Sequence, residues 1–455
     1  MLAGGGARWA RRAAGRGAGG CPPPAHLAPS DFEDGAAFRL KSGRELARAL
    51  LVLRLCAAPG LVRHAGTVLA VGRRALGARL WGGLLRASLY GQFVGGGSPG
   101  ELAAAAGRLR ALGLRPMLAL PLEDAAGRQR EDEDGERRYE TNLAAALGCA
   151  ELAAATGPRA MMQLKVTALM SARLCETVSQ RLAEPGTPLS PERLAAVMAG
   201  EEPTFACLSP AENRHLGAAL RRLDAVAQRA ADGGVRVLLD AELAHLNPAL
   251  SLAALALAAR HNGAEPWVWN TYQAYLQDGP ARMAADAEAA AGRGLCFGVK
   301  LVRGAYLEQE RRRARERGAP DPLQPTRQRT DSSYRRCLDL GLELAARRGP
   351  RFGLMVASHN EESVLHAARR MEELGIPRPG PSVCFGQLLG MCDHVSLALG
   401  RAGYAVYKSV PYGAPEEVLP YLVRRAQENQ SVLQGVRRER QLLRRELRRR
   451  LLRRP

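Results

Sequence analysis

Eight short apolar runs, each followed by a stretch long enough for a helix, predict a (β/α)8 TIM-type barrel with N-terminal accessory helices. Eight such units favour a barrel over a doubly wound sheet, and two further observations agree with buried parallel strands. Val235–Ala241 is apolar up to Asp240 apart from Arg236, and Phe297–Gly304 holds Lys300 in an otherwise apolar strand core, as parallel strands covered on both faces do. A chain of 455 residues also suffices for one barrel-sized domain with helices to spare.

The elements follow in order. Residues 1–30 hold Arg8, Arg11, Arg12 and Arg16 and no acidic residue, the composition of a mitochondrial transit peptide, although rich in Gly and poor in Ser. After the Pro-rich break Cys21–Pro24, residues of about 40–112 have helical character, interrupted at Gly95–Gly97. The strand-like runs are Arg115–Leu120, Met161–Leu169, Val235–Ala241, Pro266–Thr271, Phe297–Gly304, Gly353–Ser358, Ser382–Phe385 and Tyr404–Val410. Between them lie helix-length patterns such as Asn213–Ala231 and Ser332–Arg347. The expected division is therefore a transit or disordered segment 1–30, a helical region 31–112, a barrel 113–435 and an Arg-rich tail 436–455.

The net charge of +20 suggests nucleic acid as a partner, but its location argues against one. Most of it sits at the two ends, and residues 437–455 alone carry ten Arg against Glu439 and Glu446. That tail steps Leu443, Leu447 and Leu451 by four among its arginines, a pattern for an anionic membrane surface or for a solvated tail. Charge-dense Arg128–Arg138 and Arg311–Arg317 read as exposed, mobile segments. Nine Cys with no C-x-x-C pair read as reduced core thiols. The longest clean apolar run, Leu252–Ala259, is too short to cross a membrane.

Chemistry in such a barrel gathers at the C-terminal ends of the strands. Lys165, Asp240, Gln273, Lys300, Arg303, His359 and Asn360 all fall at or near those ends. A charge in a buried strand needs a partner, and Lys165 with Asp240 is the expected pair. No Walker A loop, H-E-x-x-H or G-x-S-x-G elbow occurs, and His359 and His366 lack the neighbours of a zinc site. His394 reads as a surface or helix-end residue. Further on, Tyr421, Arg424, Arg425 and Glu428 fall within an arc of about 100° on one helix face. Paired guanidiniums beside a carboxylate and a phenol suit a small zwitterion such as an amino acid. The same spacing, with Leu419, Leu422, Val423 and Ala426 opposite, also describes an ordinary amphipathic helix.

Four motifs resolve that choice. Val299-Lys-Leu-Val-Arg-Gly-Ala-Tyr306, Ala357-Ser-His-Asn360, Phe385-Gly-Gln-Leu-Leu-Gly-Met391 and Tyr421-Leu-Val-Arg-Arg-Ala-Gln-Glu428 together resemble the proline dehydrogenase family, over about residues 115–435. That family's FAD-dependent barrels oxidise proline to a pyrroline carboxylate. The resemblance implies that Arg424 and Arg425 hold the substrate carboxylate with help from Lys165, and that Glu428 sits beside them. It implies that Asp240 and Tyr421 complete the pocket, which Tyr306 borders. Gln273, Lys300, Val302, Arg303, Gly304, Ala305, His359 and Asn360 match flavin-contacting positions, and Leu388 would pack near the flavin. Lys300 stands where bacterial members have Arg, so the charge is kept without its bidentate reach.

One departure concerns the substrate. Proline-specific members have Tyr where Ser409 stands in Tyr407-Lys-Ser-Val-Pro-Tyr-Gly413. Space and a hydroxyl there suit a 4-hydroxyl on the proline ring, so the chain is similar to the hydroxyproline dehydrogenase branch. The resemblance implies a mitochondrial enzyme peripheral to the inner membrane, with ubiquinone as acceptor. Three other readings stay open on residues alone. These are an ordinary proline dehydrogenase, a barrel lyase using Lys165 or Lys300 as a Schiff-base nucleophile, and a basic binding protein acting through its Arg-rich ends.

Overall fold

The computed structural model describes residues 32, 35–120, 133–415, 417–418, 421–425 and 433–452. Its centre is a closed barrel of strands β1 (Arg115–Ala119), β2 (Ala160–Leu164), β3 (Val235–Leu239), β4 (Val268–Gln273), β5 (Phe297–Val302), β6 (Phe352–Ala357), β7 (Val383–Leu388) and β8 (Val406–Pro411), in sequence order. All eight pairings are parallel, and β8 returns to β1. The predicted (β/α)8 class is the observed one. Several strands differ from their apolar runs, most of all β2, which ends at Leu164 before a 3-10 helix over Val166–Ala168. β4 takes in Tyr272 and Gln273, and β7 continues through Gly386 and Gln387, because ladder hydrogen bonds and not hydrophobicity set where a strand stops.

The bore is filled, not hollow. Met117, Met161, Leu238, Trp269, Met355, Cys384, Ala405 and Tyr407 pack into one buried cluster. Trp269 dictates two glycines on the neighbouring strands. A Cβ at Gly298 would lie 2.2 Å from the indole Cγ, and one at Gly353 only 2.3 Å from Cζ2. Below this cluster Tyr407 donates to the Arg159 carbonyl at 2.8 Å and accepts from Arg115 at 3.3 Å, closing the N-terminal end. Arg115 and Arg236 stay at this end, whereas Gln163, Lys300 and Ser409 meet at the opposite mouth.

Helices wrap the barrel, and the parts of the chain before and after it pack together. Helix Gly43–Cys56 begins with a capping box in which Ser42 and Glu45 satisfy each other's backbone donors. Its buried Leu46, Ala49, Leu53 and Cys56 recur at helical spacing. The Arg-rich C-terminal segment is neither a solvated tail nor a free membrane-facing stretch. It is a helix, Leu433–Leu452, with Leu442 and Leu443 buried against the main core. Both its glutamates are buried as well. Glu439 accepts from the N–H groups of Cys392 (3.1 Å) and Asp393 (2.9 Å), capping helix Asp393–Arg401, while Glu446 holds Arg449 and Arg450. Arg450 in turn donates to the carbonyls of Phe38, Arg39 and Lys41.

Nearby, Lys408 of β8 and Lys41 converge on buried Asp393. Burial alone would raise that carboxyl, but the two ammonium charges hold it well below the usual carboxylate range. His394 is at a helix end, as expected, but it is buried rather than on the surface, and Glu361 accepts from its ring Nε2 at 3.0 Å. Arg311–Arg317 is largely exposed, as expected. It belongs to helix Leu307–Glu316 and its C-cap, where Arg313 and Arg317 share Glu176 at 2.7 Å each. The eight described cysteines are free, and seven are buried.

Candidate functional site

Four inward-facing residues from four strands meet across the mouth. Lys300 of β5 donates to Asp240, just past β3, at 2.5 Å. The same Nζ donates to Gln163 Oε1 on β2 at 3.2 Å, and Gln163 Nε2 donates to Ser409 Oγ on β8 at 2.7 Å. The strand alternation that places Met161, Met355 and Tyr407 in the bore brings these residues to its upper layer. Lys300 and Ser409 are buried, at 5 % and 4 % exposure, so each polar contact forms where water is scarce.

The expected Lys165–Asp240 pair does not form. Lys165 follows the end of β2 and its charge acts on Glu242, whereas Asp240 is taken by Lys300 across the bore. Glu242 itself is buried, which raises its pKa, and it accepts from the Thr167 hydroxyl (2.7 Å) and N–H (3.3 Å). Gln273 is tied to the same corner, donating to the Glu242 carbonyl at 3.1 Å and accepting from Asn247 at 2.9 Å.

A second group adjoins Ser409. Leu388 is its register partner on β7, and the Leu388 N–H donates to His359 Nε2 at 3.1 Å. That bond leaves the proton of the neutral ring on Nδ1. Burial, reinforced by the charges of Lys408 and Arg425, pushes the His359 pKa down to about 3. Helical residues 421–425 lie beside this group. Tyr421 and Leu422 are buried with Val52, Val62, Phe93 and Met391, so the helices before β1 roof this side of the mouth. The Arg425 guanidinium is 4.7 Å from the Tyr421 ring centroid, and Arg424 is half-buried. Glu428 lies outside the described residues.

The third group follows β5. Arg303 donates to Ser358 (2.8 Å), Ser363 (3.0 Å) and Asp331 (2.8 Å) and stacks 4.4 Å from the Tyr334 ring. Asn360 caps helix Glu361–Glu373 beside it, accepting from Ser363 N–H at 2.8 Å. Gly304 has a φ of +138°, and a Cβ there would come within 2.5 Å of the Tyr275 ring packed against it, so only glycine fits at this turn, where Gly304 and Ala305 remain exposed. Val302 and Tyr306, half-buried, flank that turn. A fixed guanidinium, a helix N-terminus and an exposed glycine turn suit a pyrophosphate, and the Lys300 cation suits an electron-accepting ring. This donor set fits a flavin dinucleotide.

Gln163 escaped the sequence reading. Its sequence signal is only a carboxamide within Met161-Met-Gln-Leu164, two residues before the formal charge of Lys165.

The proline dehydrogenase family model matches residues 109–438. Hydroxyproline dehydrogenase of Bos taurus is 56 % identical, over 95 % of each chain, and that of Xenopus laevis is 53 % identical, over 92 % of this chain and 90 % of its own. Human proline dehydrogenase 1, mitochondrial, is 33 % identical over 91 % of this chain. Among solved structures, proline utilization A of Bdellovibrio bacteriovorus has the same fold, with a TM-score of 0.60 at 21 % identity over 86 % of this chain, which spans only 38 % of that longer one. A barrel whose mouth carries this constellation, matched across that span, belongs to the proline dehydrogenase family.

Proposed function

We propose that the protein oxidises trans-4-hydroxy-L-proline to 1-pyrroline-3-hydroxy-5-carboxylate, with FAD as cofactor and ubiquinone as electron acceptor. The observation that carries this reading is Ser409, whose buried hydroxyl at the barrel mouth is hydrogen-bonded to Gln163. The names of the 53–56 % identical relatives support it.

The chemistry FAD supplies when bound is acceptance of a hydride from the ring carbon next to the amine. The protein's own task is to bind and orient. Arg424 and Arg425 neutralise the substrate carboxylate, with Lys165 approaching from the end of β2. Asp240 and Tyr421 line the ring, and Tyr306 borders it. Lys300 is fixed by Asp240 and Gln163, so it stands as a held cation near the flavin and not as a free Schiff-base amine. Gln273, Val302, Arg303, Gly304, Ala305, His359, Asn360 and Leu388 hold the cofactor. His359 stays neutral because of its lowered pKa, so it contributes an N–H without a charge. Barrel 113–435 carries the reaction, and regions 31–112 and 436–455 buttress it; residues 1–30 serve as a transit segment.

Location follows from composition and surface. We place the enzyme in the mitochondrion, peripheral to the inner membrane. No described helix is long and apolar enough to span a membrane. Residues 46–100 contain seven Arg and no acidic residue. Within them Val71, Leu80 and Leu84 are 58, 71 and 51 % exposed, beside exposed Arg73, Arg74 and Arg79. Exposed leucines among arginines match an anionic lipid surface by charge and by apolarity.

The test is a comparison of kcat/KM on trans-4-hydroxy-L-proline and L-proline for wild type and Ser409→Tyr. Wild type should favour the hydroxylated ring and the variant should not. Wild-type preference for L-proline would overturn the assignment.

A further inference from the structure

The Ser409 hydroxyl has a definable polarity, and the network behind it sets that polarity. A lysine ammonium has donors only, so the oxygen of the Gln163 carboxamide must be the atom facing Lys300 at 3.2 Å. This fixes which way the carboxamide points, and its nitrogen faces Ser409 Oγ at 2.7 Å. An amide nitrogen donates and does not accept, so Ser409 is the acceptor in that bond. Its own hydrogen is left over, and among the described residues no acceptor meets it.

The geometry is specific to this layer. Strand β1 lies between β2 and β8, with Ala119 in register with Gln163 and Met117 with both Met161 and Ser409. The Gln163–Ser409 bond spans β1, where Ala119 is small, and the Lys300–Gln163 bond then crosses the bore from β5. Asp240 anchors the far end by fixing the Lys300 ammonium.

We propose that Gln163 is a specificity-positioning residue that makes Ser409 present its proton, so that the site reads the ring substituent of the substrate as a hydrogen-bond acceptor. This rests on the hydroxyproline reading above and deepens it. The recognised ligand class is a five-membered cyclic amino acid bearing an oxygen acceptor at ring carbon 4. A ketone there satisfies the site as a hydroxyl does, whereas an unsubstituted ring leaves the Ser409 proton unpaired.

The probe is 4-oxo-L-proline, whose ring oxygen can only accept. Its inhibition constant is measured against L-proline turnover in wild type, Gln163→Glu, Gln163→Leu and Ser409→Ala. In Gln163→Glu a carboxylate faces Ser409, takes its proton and reverses the polarity. The ratio of the 4-oxo-L-proline inhibition constant to the L-proline KM should then rise about tenfold, the worth of one good hydrogen bond. Gln163→Leu should raise it less, because the hydroxyl becomes free to rotate, and Ser409→Ala should raise it to the level of Gln163→Glu. An equal weakening of both ligands in the Gln163 variants would show a purely structural role and overturn the proposal. So would a ratio that moves less than about twofold. Should Gln163→Glu not fold, Gln163→Leu against Ser409→Ala decides in the same way. A wild type that favours L-proline over trans-4-hydroxy-L-proline sinks the hydroxyproline reading instead, and the 4-oxo ratio still reports the polarity separately.

Discussion

At the scale of single residues, selectivity and anchoring separate. Ser409 sits in the bore with Gln163, whereas Arg424 and Arg425 are on helical residues 421–425 beside His359 and Leu388. Arg425→Met should therefore raise KM for hydroxyproline and proline alike, by about tenfold or more for loss of a charged hydrogen bond, and leave their ratio near the wild-type value. Initial-rate kinetics on both substrates checks this; a change confined to one substrate contradicts it. His359 gives a pH signature. Its pKa is about 3 in the folded protein against an ordinary value of 6.5, so the unfolded chain binds the proton more readily. The neutral ring's stability is thus fully present above pH 6.5 and is lost as pH falls toward 3. Between pH 7.5 and 5, wild type should lose about 2 kcal/mol more than His359→Gln, measured by denaturant unfolding at each pH. Equal slopes would show that His359 is not held neutral by its surroundings. The residues themselves were legible in the chain in so far as they were charged or aromatic. Neutral Gln273, Asn360 and Ser409 were legible through the family resemblance, whereas Gln163 lies outside its motifs and acquires meaning only from its partners on β5 and β8.

At the scale of elements, the two segments outside the barrel make opposite predictions. Deleting 433–455 removes Glu439 from the start of helix Asp393–Arg401 and uncovers Leu46 and Leu53. The midpoint of thermal unfolding should fall clearly, whereas loss of a solvated tail would leave it unchanged. The sequence could not show this, because alternating Leu and Arg look alike on a free helix and on one whose glutamates cap another helix. The exposed face of helix Ala65–Ala87 is expected to matter only on a lipid surface. Replacing Arg73, Arg74 and Arg79 with Glu should abolish co-flotation with vesicles of anionic phospholipid at 0.1 M salt without lowering the unfolding midpoint. Flotation that persists in this variant would place the contact elsewhere.

At the scale of the whole molecule, the strands were legible and their partners were not. Strands buried on both faces must be apolar, so eight runs announced eight strands, yet nothing in a run states which charge it will face across the bore. Lys165 and Asp240 looked like a pair by order along the chain, and closure of the barrel gave Asp240 to Lys300. Closure also joins the ends: Lys408 on the last strand, Lys41 near the N-terminal helices and Asp393 form one buried ionic cluster. Lys408→Met should cost about 3 kcal/mol in denaturant unfolding, since it removes one of two cations from a buried carboxylate. The central claim is that this barrel couples a flavin to a hydroxylated proline ring. Its most direct test is anaerobic titration of the purified protein, reconstituted with FAD, while its visible flavin absorbance is followed. The account predicts a yellow protein bleached by trans-4-hydroxy-L-proline at lower concentration than by L-proline. A protein that takes up no FAD, or one bleached more readily by L-proline, would contradict it.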